Sequence, residues 1–369
     1  MRKILAILTI AFFWAGCSKN EPEVETCTND HSLDVIEQRN FSMGFSTWSF
    51  GPTWADREAT YQFIADNADI YSEQIDNRIP WNAWINNTSL PTEFTNDIAY
   101  RVSKKPSNHK LLLSVSLLNI DRDDLLEDYD GTVPAYANMY DQTIEDAYIK
   151  HLDYLSTQFN PDYLIFAMEV NELIINSPEK WTLYKILAQN LRVRIKNQYP
   201  NLRISESITL HNWFNPEVEN PEQHIAEIDE YINQNLDFAA ISFYAYFKGL
   251  HTKSHFQIAF DFLHSHTTKP IAFSETAFLA EILEIENYNL VIPSDECEQK
   301  DYLEVLLLNA YTHNYEFIIW WSFRDYDRLW ETLPPELLDI GKIWKDTGLL
   351  DEDGKERPAY MVWTDILER

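Results

Sequence analysis

DYLIFAMEVNE (162–172) is an almost unbroken apolar run that ends abruptly in Asn171 and Glu172. A near-continuous apolar strand is typical of a parallel sheet that is covered on both faces. A carboxylate at the end of such a strand loses hydration, and it is tolerated where it is paired, hydrogen-bonded or used. The stretch therefore predicts a buried parallel strand whose carboxyl end carries functional groups.

Seven further apolar, β-branched or aromatic runs recur along the chain, separated by segments of helical periodicity. The runs are FSMGFSTWSF (41–50), ADIYSEQI (68–75), KLLLSVSLLN (110–119), LRISESITLHNW (202–213), LDFAAISFYAYF (236–247), KPIAFSETAF (269–278) and EFIIWWSFRDYD (316–327). The helical segments are 58–68, 145–159, 180–199, 221–236, 256–266 and 297–314. Eight strands alternating with helices predict an α/β fold, a single-domain (β/α)8 TIM barrel over residues 41–369.

A doubly wound sheet is the alternative fold for such a pattern. None of the eight glycines lies in a GxG arrangement, so nothing supports a dinucleotide or P-loop site. The long connections 76–109 and 118–144 are where the wall of an open groove for a polymer is expected.

The N-terminus MRKILAILTIAFFWAGC (1–17) has a basic start, a short apolar run and a small pair before Cys17. It predicts a signal peptide over 1–16, and it resembles a bacterial lipoprotein signal with Cys17 as the lipidation site. Residues 17–40 are predicted to form an acidic tether. We therefore expect an exported lipoprotein of the cell envelope, held at the outer membrane and exposed at the surface, with contact to the membrane through its lipid anchor only. Ordinary secretion is the alternative.

Composition excludes several classes of function. Beyond Cys17 the chain has only Cys27 and Cys297, which allow one disulfide but no cysteine-ligated metal and no thiol chemistry. The formal charge of −30 disfavours nucleic acid as a partner. The aromatic content of 14% fits a ring-rich core, rings that stack on sugars, or both.

Two glutamates are the strongest candidates for catalysis. Glu172 follows the fourth predicted strand, and Glu275 ends the seventh in SETAF. Strands on roughly opposite sides of a barrel would place the two carboxyls on either side of a bond, as glycoside hydrolysis requires. A salt bridge at a strand end explains either glutamate alone, whereas their combination with the polar and aromatic groups at neighbouring strand ends favours catalysis.

The remaining strand-end groups are assigned to substrate binding. Arg324 and Asp325 either bind hydroxyls or brace their loop, and Trp81 either stacks on a sugar or fastens its loop to the barrel. The full set is Asn171, His211, Trp213, Tyr244, Tyr246, Trp321, Trp48, Trp81, Arg324 and Asp325.

These strand ends resemble those of the clan A glycoside hydrolases, which are retaining (β/α)8 enzymes with Asn-Glu after strand four and Glu after strand seven. The tail DTGLLDEDGKERPAYMVW (346–363) also resembles the ending common in that clan. ITLHNW, SFYAYF and IAFSETAF are similar to motifs of the family 53 endo-β-1,4-galactanases. Strand two departs from that family, because YSEQIDNRIPW (71–81) carries Glu73, Gln74 and Asp76 where the family has arginine.

The resemblance implies a role for each matching residue. Glu172 would be the general acid/base and Glu275 the nucleophile. Asn171 would hydrogen-bond the sugar 2-hydroxyl, Tyr244 would orient Glu275, and Trp321 would form the floor under the sugar. It also makes the Trp321–Ser322 bond a candidate non-proline cis peptide.

The sequence therefore predicts a retaining glycoside hydrolase that cleaves a β-linked polysaccharide, with β-1,4-galactan as the leading substrate. We expect a monomer that needs no cofactor and no metal. A surface glycan-binding lipoprotein without turnover is the alternative. A metal-dependent barrel hydrolase would need His or Asp ligands at the first strand, and FSMGFSTWSF offers none.

Two further carboxylates, Glu169 and Glu206, lie inside predicted strands. They are predicted to be structural charges in the barrel interior, paired with Arg203 or Lys110.

Overall fold

The computed structural model describes Cys27, Thr28 and residues 31–369. The predicted signal peptide (1–16) and the predicted lipidation site Cys17 lie outside the described residues. Within the described part of the chain no helix is long and apolar enough to cross a membrane.

Strands and helices alternate along the chain. The strands are β1 Ser42–Ser46, β2 Ile70–Ile75, β3 Lys110–Val115, β4 Tyr163–Ile165, β5 Arg203–Ser205, β6 Ser207–Thr209, β7 Ala239–Phe243, β8 Ile271–Thr276, β9 Leu283–Ile285, β10 Leu290–Ile292 and β11 Phe317–Trp320. The helices are α1 Trp54–Asn67, α2 Trp81–Asn86, α3 Thr92–Ser103, α4 Gln142–Phe159, α5 Glu172–Asn176, α6 Pro178–Gln198, α7 Pro221–Asn235, α8 Lys253–His266, α9 Glu296–His313, α10 Asp327–Trp330, α11 Leu338–Lys342 and α12 Pro358–Leu367. All eight predicted strands are present.

The sheet closes into a parallel barrel. Its order is β5-β4-β3-β2-β1-β11-β8-β7-β6. β5 pairs with β4 and β6 pairs with β7, and only Glu206 separates β5 from β6 along the chain. The two short strands are therefore halves of one barrel strand, which completes the ring of eight and leaves no open edge.

Two apolar layers hold the barrel together. One lies between the strands and the surrounding helices. The other fills the inside of the ring and includes Ile70, Leu112, Tyr163, Ile165, Phe238, Ala240, Ala272, Phe317 and Ile319. A filled interior leaves the carboxyl-end mouth of the barrel as the place where polar groups meet.

The folded part of the chain begins before residue 41, so the predicted tether over 17–40 extends too far. Leu33 and Ile36 are buried in the apolar core. Cys27 forms a disulfide with Cys297, at the start of α9. Both features fasten the N-terminal segment to the barrel.

The connection 76–109 contains structure that the sequence pattern did not predict. It holds α2 and α3, and Phe94 and Ile98 on α3 pack into the core. α3 is thus the barrel helix between β2 and β3, so this part of the connection does not belong to the predicted groove wall.

Candidate active site

Glu275 reaches the mouth of the barrel because β8 carries one extra residue. Phe273 lies opposite Ile241 of β7, and the next pair in the register is Ser242 with Glu275. Ser274 is therefore the unpaired residue of a β-bulge, and it shifts the side-chain alternation by one position. Without this bulge Glu275 would point towards the helices.

Two donors hold the Glu275 carboxylate. The Tyr244 hydroxyl donates to Oε1 at 2.5 Å, and Gln74 donates through Nε2 to Oε2 at 2.6 Å. Burial and the negative charge of Glu169 together raise the pKa of Glu275 to about 8, against the opposing effect of the hydrogen bonds from Tyr244 and Gln74. The resting carboxyl therefore carries a proton at neutral pH.

Glu172 is the first residue of α5 and is held from the end of the fifth barrel strand. Asn212 donates through Nδ2 to Oε1 at 2.6 Å and to Oε2 at 2.7 Å, and the Thr209 hydroxyl also donates to Oε1. His211 Nε2 lies 3.8 Å from the same oxygen, and the Glu172 side chain is 13% exposed. These contacts fix the carboxylate at the mouth while leaving it accessible.

His211 is in the position predicted for a substrate-binding group. Burial lowers the pKa of its imidazole, which favours the neutral ring at neutral pH. Its Nδ1 is buried and has no hydrogen-bond partner among the described residues. His211 therefore lies beside Glu172 with one ring nitrogen available.

Trp48 and Trp321 form an aromatic pair at the mouth. Their ring centroids lie 5.2 Å apart, and Tyr326 packs edge-on against Trp48. The indole N–H of each tryptophan lacks an acceptor in the described part of the chain. Rings of this kind can stack on a sugar face while their N–H groups serve hydroxyls.

No family model matches this sequence, and no curated protein matches it either. Solved structures do match. One is an alanine variant of a glycoside hydrolase of family 5, subfamily 18, from Bifidobacterium longum subsp. longum in complex with Manβ1-4GlcNAc (15% identity, TM-score 0.65, 89% of this chain and 78% of that chain). Another is an exo-β-1,4-mannosidase from an Opitutaceae bacterium (9% identity, TM-score 0.63, 89% and 59%).

A third match is a family 53 catalytic domain from Ignisphaera aggregans, at 16% identity and TM-score 0.56, which covers 90% of this chain and 92% of that chain. The fold is that of the clan A glycoside hydrolases. At such low identity the likeness extends to the fold alone, and the chemistry depends on the residues of this chain.

Asn171 does not face the mouth of the barrel, contrary to the prediction. Its side chain is fully buried and forms a two-way link with Thr209. Nδ2 donates to the Thr209 carbonyl at 3.0 Å, and Oδ1 accepts from the Thr209 amide at 2.8 Å. Asn171 therefore joins the fourth and fifth barrel strands beside Glu172.

Three predicted sugar-binding rings belong to the packing of the barrel instead. Trp213 is fully buried and donates to Asp229 at 2.9 Å, and Tyr246 donates to the Ile343 carbonyl at 3.2 Å. Trp81 is also fully buried, and its indole donates to a backbone carbonyl at 2.7 Å. Trp213 packs against α7, Trp81 packs against Tyr148 of α4, and Tyr246 packs against the segment after β11.

Arg324 and Asp325 brace the loop after β11, which was one of the two predicted roles. Asp325 accepts from the Gly348 amide at 2.8 Å and from Arg357 at 2.9 Å, and Arg324 donates to the Glu352 carbonyl. Substrate binding by this pair is therefore a wrong prediction. The candidate cis peptide Trp321–Ser322 is trans, since no described peptide bond is cis.

The same loop brings acidic groups together. Carboxylate oxygens of Asp325, Asp327 and Asp346 lie within 4.8 Å of one another. Lys345 pairs with Asp327 and Asp346, and Arg357 pairs with Asp325 at 2.8 Å. These two cations offset part of the negative charge of the three carboxylates.

Glu206 is paired as a structural charge, but not with the predicted partner. It points towards the helices, where Arg192 lies 3.0 Å away and the Tyr231 hydroxyl donates to both of its oxygens. Arg203 pairs instead with Glu316 at 2.9 Å. Because Glu206 separates β5 from β6, this outward charge marks the break in the fifth barrel strand.

Three residues that contact the candidate catalytic groups, and Arg122, which contacts the neighbouring Glu169, were not assigned from the sequence. Gln74 lies on the same face of β2 as Ile70 and Ser72, so strand alternation could have identified it. Asn212 lies directly after His211 in the motif ITLHNW. Thr209 and Arg122 carry no comparable signal, because each makes contacts that depend on the three-dimensional fold.

We expect substitution of Trp321 to lower activity and substitution of Trp213 to lower stability. Trp321→Phe removes an indole at the mouth, and it should lower kcat/KM about tenfold, or roughly 1.4 kcal/mol, with little loss of stability. Trp213→Phe leaves Asp229 without its buried donor, and it should lower the free energy of unfolding by about 1–3 kcal/mol with kcat/KM nearly unchanged. Urea unfolding and steady-state rates on the same samples measure both; equal losses of activity would contradict the placement of the two rings.

Proposed function

We propose that this protein hydrolyses β-linked glycosides with retention of anomeric configuration, with Glu275 as the nucleophile and Glu172 as the general acid/base. The observation that carries the proposal is the way the Glu275 carboxylate is held. Tyr244 and Gln74 fix its two oxygens at 2.5 and 2.6 Å at the end of β8. Glu172 begins α5, which follows the fourth strand, and has its own set of donors.

The proposed reaction has two displacements. Ionised Glu275 attacks the anomeric carbon, the bond to the leaving oxygen breaks, and Glu172 gives its proton to that oxygen. The sugar is then an ester of Glu275. Glu172 next removes a proton from water, which attacks the same carbon and releases Glu275 as a carboxylate. Each displacement inverts the carbon, so the product keeps the original configuration.

The protonation state of Glu275 contributes to the expected pH dependence of kcat/KM. Only the carboxylate form can attack, and burial raises the pKa of the resting group to about 8. The same form of the enzyme must keep the proton of Glu172, so kcat/KM, which reports on the free enzyme, should pass through a maximum and fall once the two carboxyls have lost their last proton.

A neutral β-1,4-linked glycan is the proposed substrate class. The proposal is supported by the aromatic pair Trp48 and Trp321, which suits the apolar face of a neutral pyranose. The structural matches include a protein in complex with Manβ1-4GlcNAc, an exo-β-1,4-mannosidase and a family 53 domain. We therefore propose β-mannosides and β-1,4-galactan as the first substrates to test.

The test is to incubate the purified protein with β-mannan, β-1,4-galactan, Manβ1-4GlcNAc and a wider panel of β-glycans. Chromatography sizes the products, and proton NMR taken before mutarotation reads the anomer that forms first. Release of the β-anomer supports the proposal. Release of the α-anomer contradicts retention, and tight binding without any product on the whole panel favours the glycan-binding alternative.

A further inference from the structure

Glu169 is a third carboxylate at the mouth, and its environment differs from the one predicted. It pairs with neither Arg203 nor Lys110. Arg122 approaches Oε2 through Nε at 3.1 Å and Nη2 at 2.9 Å, and the Ser242 hydroxyl donates to Oε1 at 2.7 Å. Three donors from two different segments thus fix the carboxylate.

This carboxylate lies next to Glu275. Ser242, which holds Oε1 of Glu169, is the direct neighbour of Glu275 in the pairing of β7 with β8. Adjacent strands are only about 4.8 Å apart. Tyr244, two residues further along, donates to Glu275 itself. Glu169 therefore reaches across the mouth to the position beside the proposed nucleophile.

The backbone supports a role beyond packing. Glu169 has a φ of 55° and Arg122 a φ of 50°, so both partners adopt left-handed conformations that a non-glycine residue seldom takes. Such conformations cost free energy and cluster at functional sites. The Glu206–Arg192 pair in the helix layer has no such feature at either residue, although its geometry is similar.

The ion pair also faces the mouth. Glu169 and Arg122 keep 19% and 17% of their side chains exposed, whereas the Glu206 side chain is fully buried. A purely structural pair would gain nothing from this position beside Glu275.

We propose that Glu169 is a positioning residue for Glu275. Glu169 holds a fixed negative charge beside this nucleophile, and Arg122 partly offsets that charge. This inference rests on the proposed function. The two carboxylates repel each other while Glu275 is ionised, and the repulsion disappears when Glu275 becomes a neutral ester. The charge of Glu169 therefore favours formation of the glycosyl-enzyme, and it attracts the positive charge that develops at the anomeric carbon.

Several other groups act on this pair. Tyr244 faces Glu275 from the end of β7, and Gln74 from β2 adds an uncharged donor. His211 faces the pair from the end of the fifth barrel strand and interacts electrostatically with Glu169. Asp76 faces it from the end of the second barrel strand and interacts electrostatically with Arg122 and Glu169. None of these groups places a second fixed negative charge beside Glu275 in the way that Glu169 does.

The test follows Glu275 directly and needs no substrate. The protein is labelled with glutamate carrying ¹³C at the carboxyl carbon, the Glu275 signal is assigned from its loss in Glu275→Gln, and its shift is followed with pH. The midpoint should lie at about pH 8 in the wild type and fall by at least about one pH unit in Glu169→Gln. Arg122→Gln should move it in the opposite direction.

Glu206→Gln is the matched control, because it also removes a glutamate from an arginine pair but lies in the helix layer. It should leave the midpoint unchanged. An unchanged midpoint in both Glu169→Gln and Arg122→Gln overturns the inference, and if one variant does not fold the other still decides it. A protein that cleaves no glycan while Glu169→Gln still moves the midpoint would refute the proposed function and leave the electrostatic coupling intact.

Discussion

Glu275→Ala is expected to lower kcat about 10⁵-fold on the identified glycan, which is roughly 7 kcal/mol of transition-state stabilisation. The physical reason is that the covalent step has no other acceptor: Tyr244 and Gln74 donate to the Glu275 carboxylate and cannot replace it. Rates are measured under single-turnover conditions with enzyme in excess. Activity within about tenfold of the wild type would refute Glu275 as the nucleophile.

Glu275→Gln controls for folding in this experiment, because it keeps the shape of the side chain. Since folding raises the Glu275 pKa to about 8, the wild type loses stability as pH rises from the ordinary glutamate range through that value. Glutamine does not ionise, so the variant should escape this loss. Thermal unfolding at about pH 6 and about pH 9 should therefore show a smaller decrease for Glu275→Gln than for the wild type; an equal decrease would contradict the raised pKa.

The sequence was sufficient to predict the barrel and the two candidate catalytic positions. DYLIFAMEVNE and IAFSETAF combine an apolar strand with a carboxylate at its end, and this local conflict between burial and charge is visible in one dimension. Parallel strands then bring their carboxyl ends to one face. Glu172 and Glu275 both lie at that face, with the donor sets described above.

The direction of individual side chains was not predictable in the same way. Trp213 and Trp321 both follow a strand, yet one points into the helix layer and the other to the mouth. The difference depends on bulges and on the turn after each strand, and a shift of one residue moves a side chain to the opposite face. Ser274 is such a position, and no feature of its sequence marks it as the extra residue.

The ion-pair partners of Glu169 and Glu206 were also not predictable from the sequence. Arg122 lies 47 residues from Glu169 along the chain, and their contact requires the β3–α4 connection to fold back over the mouth. The choice of Lys110 or Arg203 as a partner followed from strand position, but both residues lie towards the opposite end of the barrel strands. Whether two charged residues pair depends on differences of a few ångströms in the positions of their side chains. The hydrophobic periodicity of the sequence does not encode such differences.

Glu172→Ala is expected to have an effect that depends on the leaving group. For a natural glycan the leaving oxygen needs a proton, so kcat should fall by about 10³-fold or more, within the range of general acid/base catalysis and leaving-group activation. An aryl glycoside with an acidic phenol leaves without a proton, so formation of its glycosyl-enzyme should be nearly normal. Breakdown of that ester still needs a base, and a burst of phenol followed by slow turnover is the expected time course.

Azide then distinguishes the glutamate that acts as acid/base from the glutamate that acts as nucleophile. In Glu172→Ala, azide can enter the space of the lost carboxylate and attack the glycosyl-enzyme without a base, so it should restore turnover and give the β-glycosyl azide after two inversions. In Glu275→Ala, azide replaces the nucleophile, and a single inversion should give the α-glycosyl azide. Asn212→Ala is the matched variant for position, because it removes the donor at 2.6 and 2.7 Å from Glu172 but keeps the acid. It should reduce the rates on natural and activated substrates by similar factors, because it displaces the carboxyl of Glu172 without removing it. Azide should not raise these rates. If Glu172→Ala gave the α-azide, the two roles would have to be exchanged, since stereochemistry counts the displacements and does not depend on any assumption about the sugar.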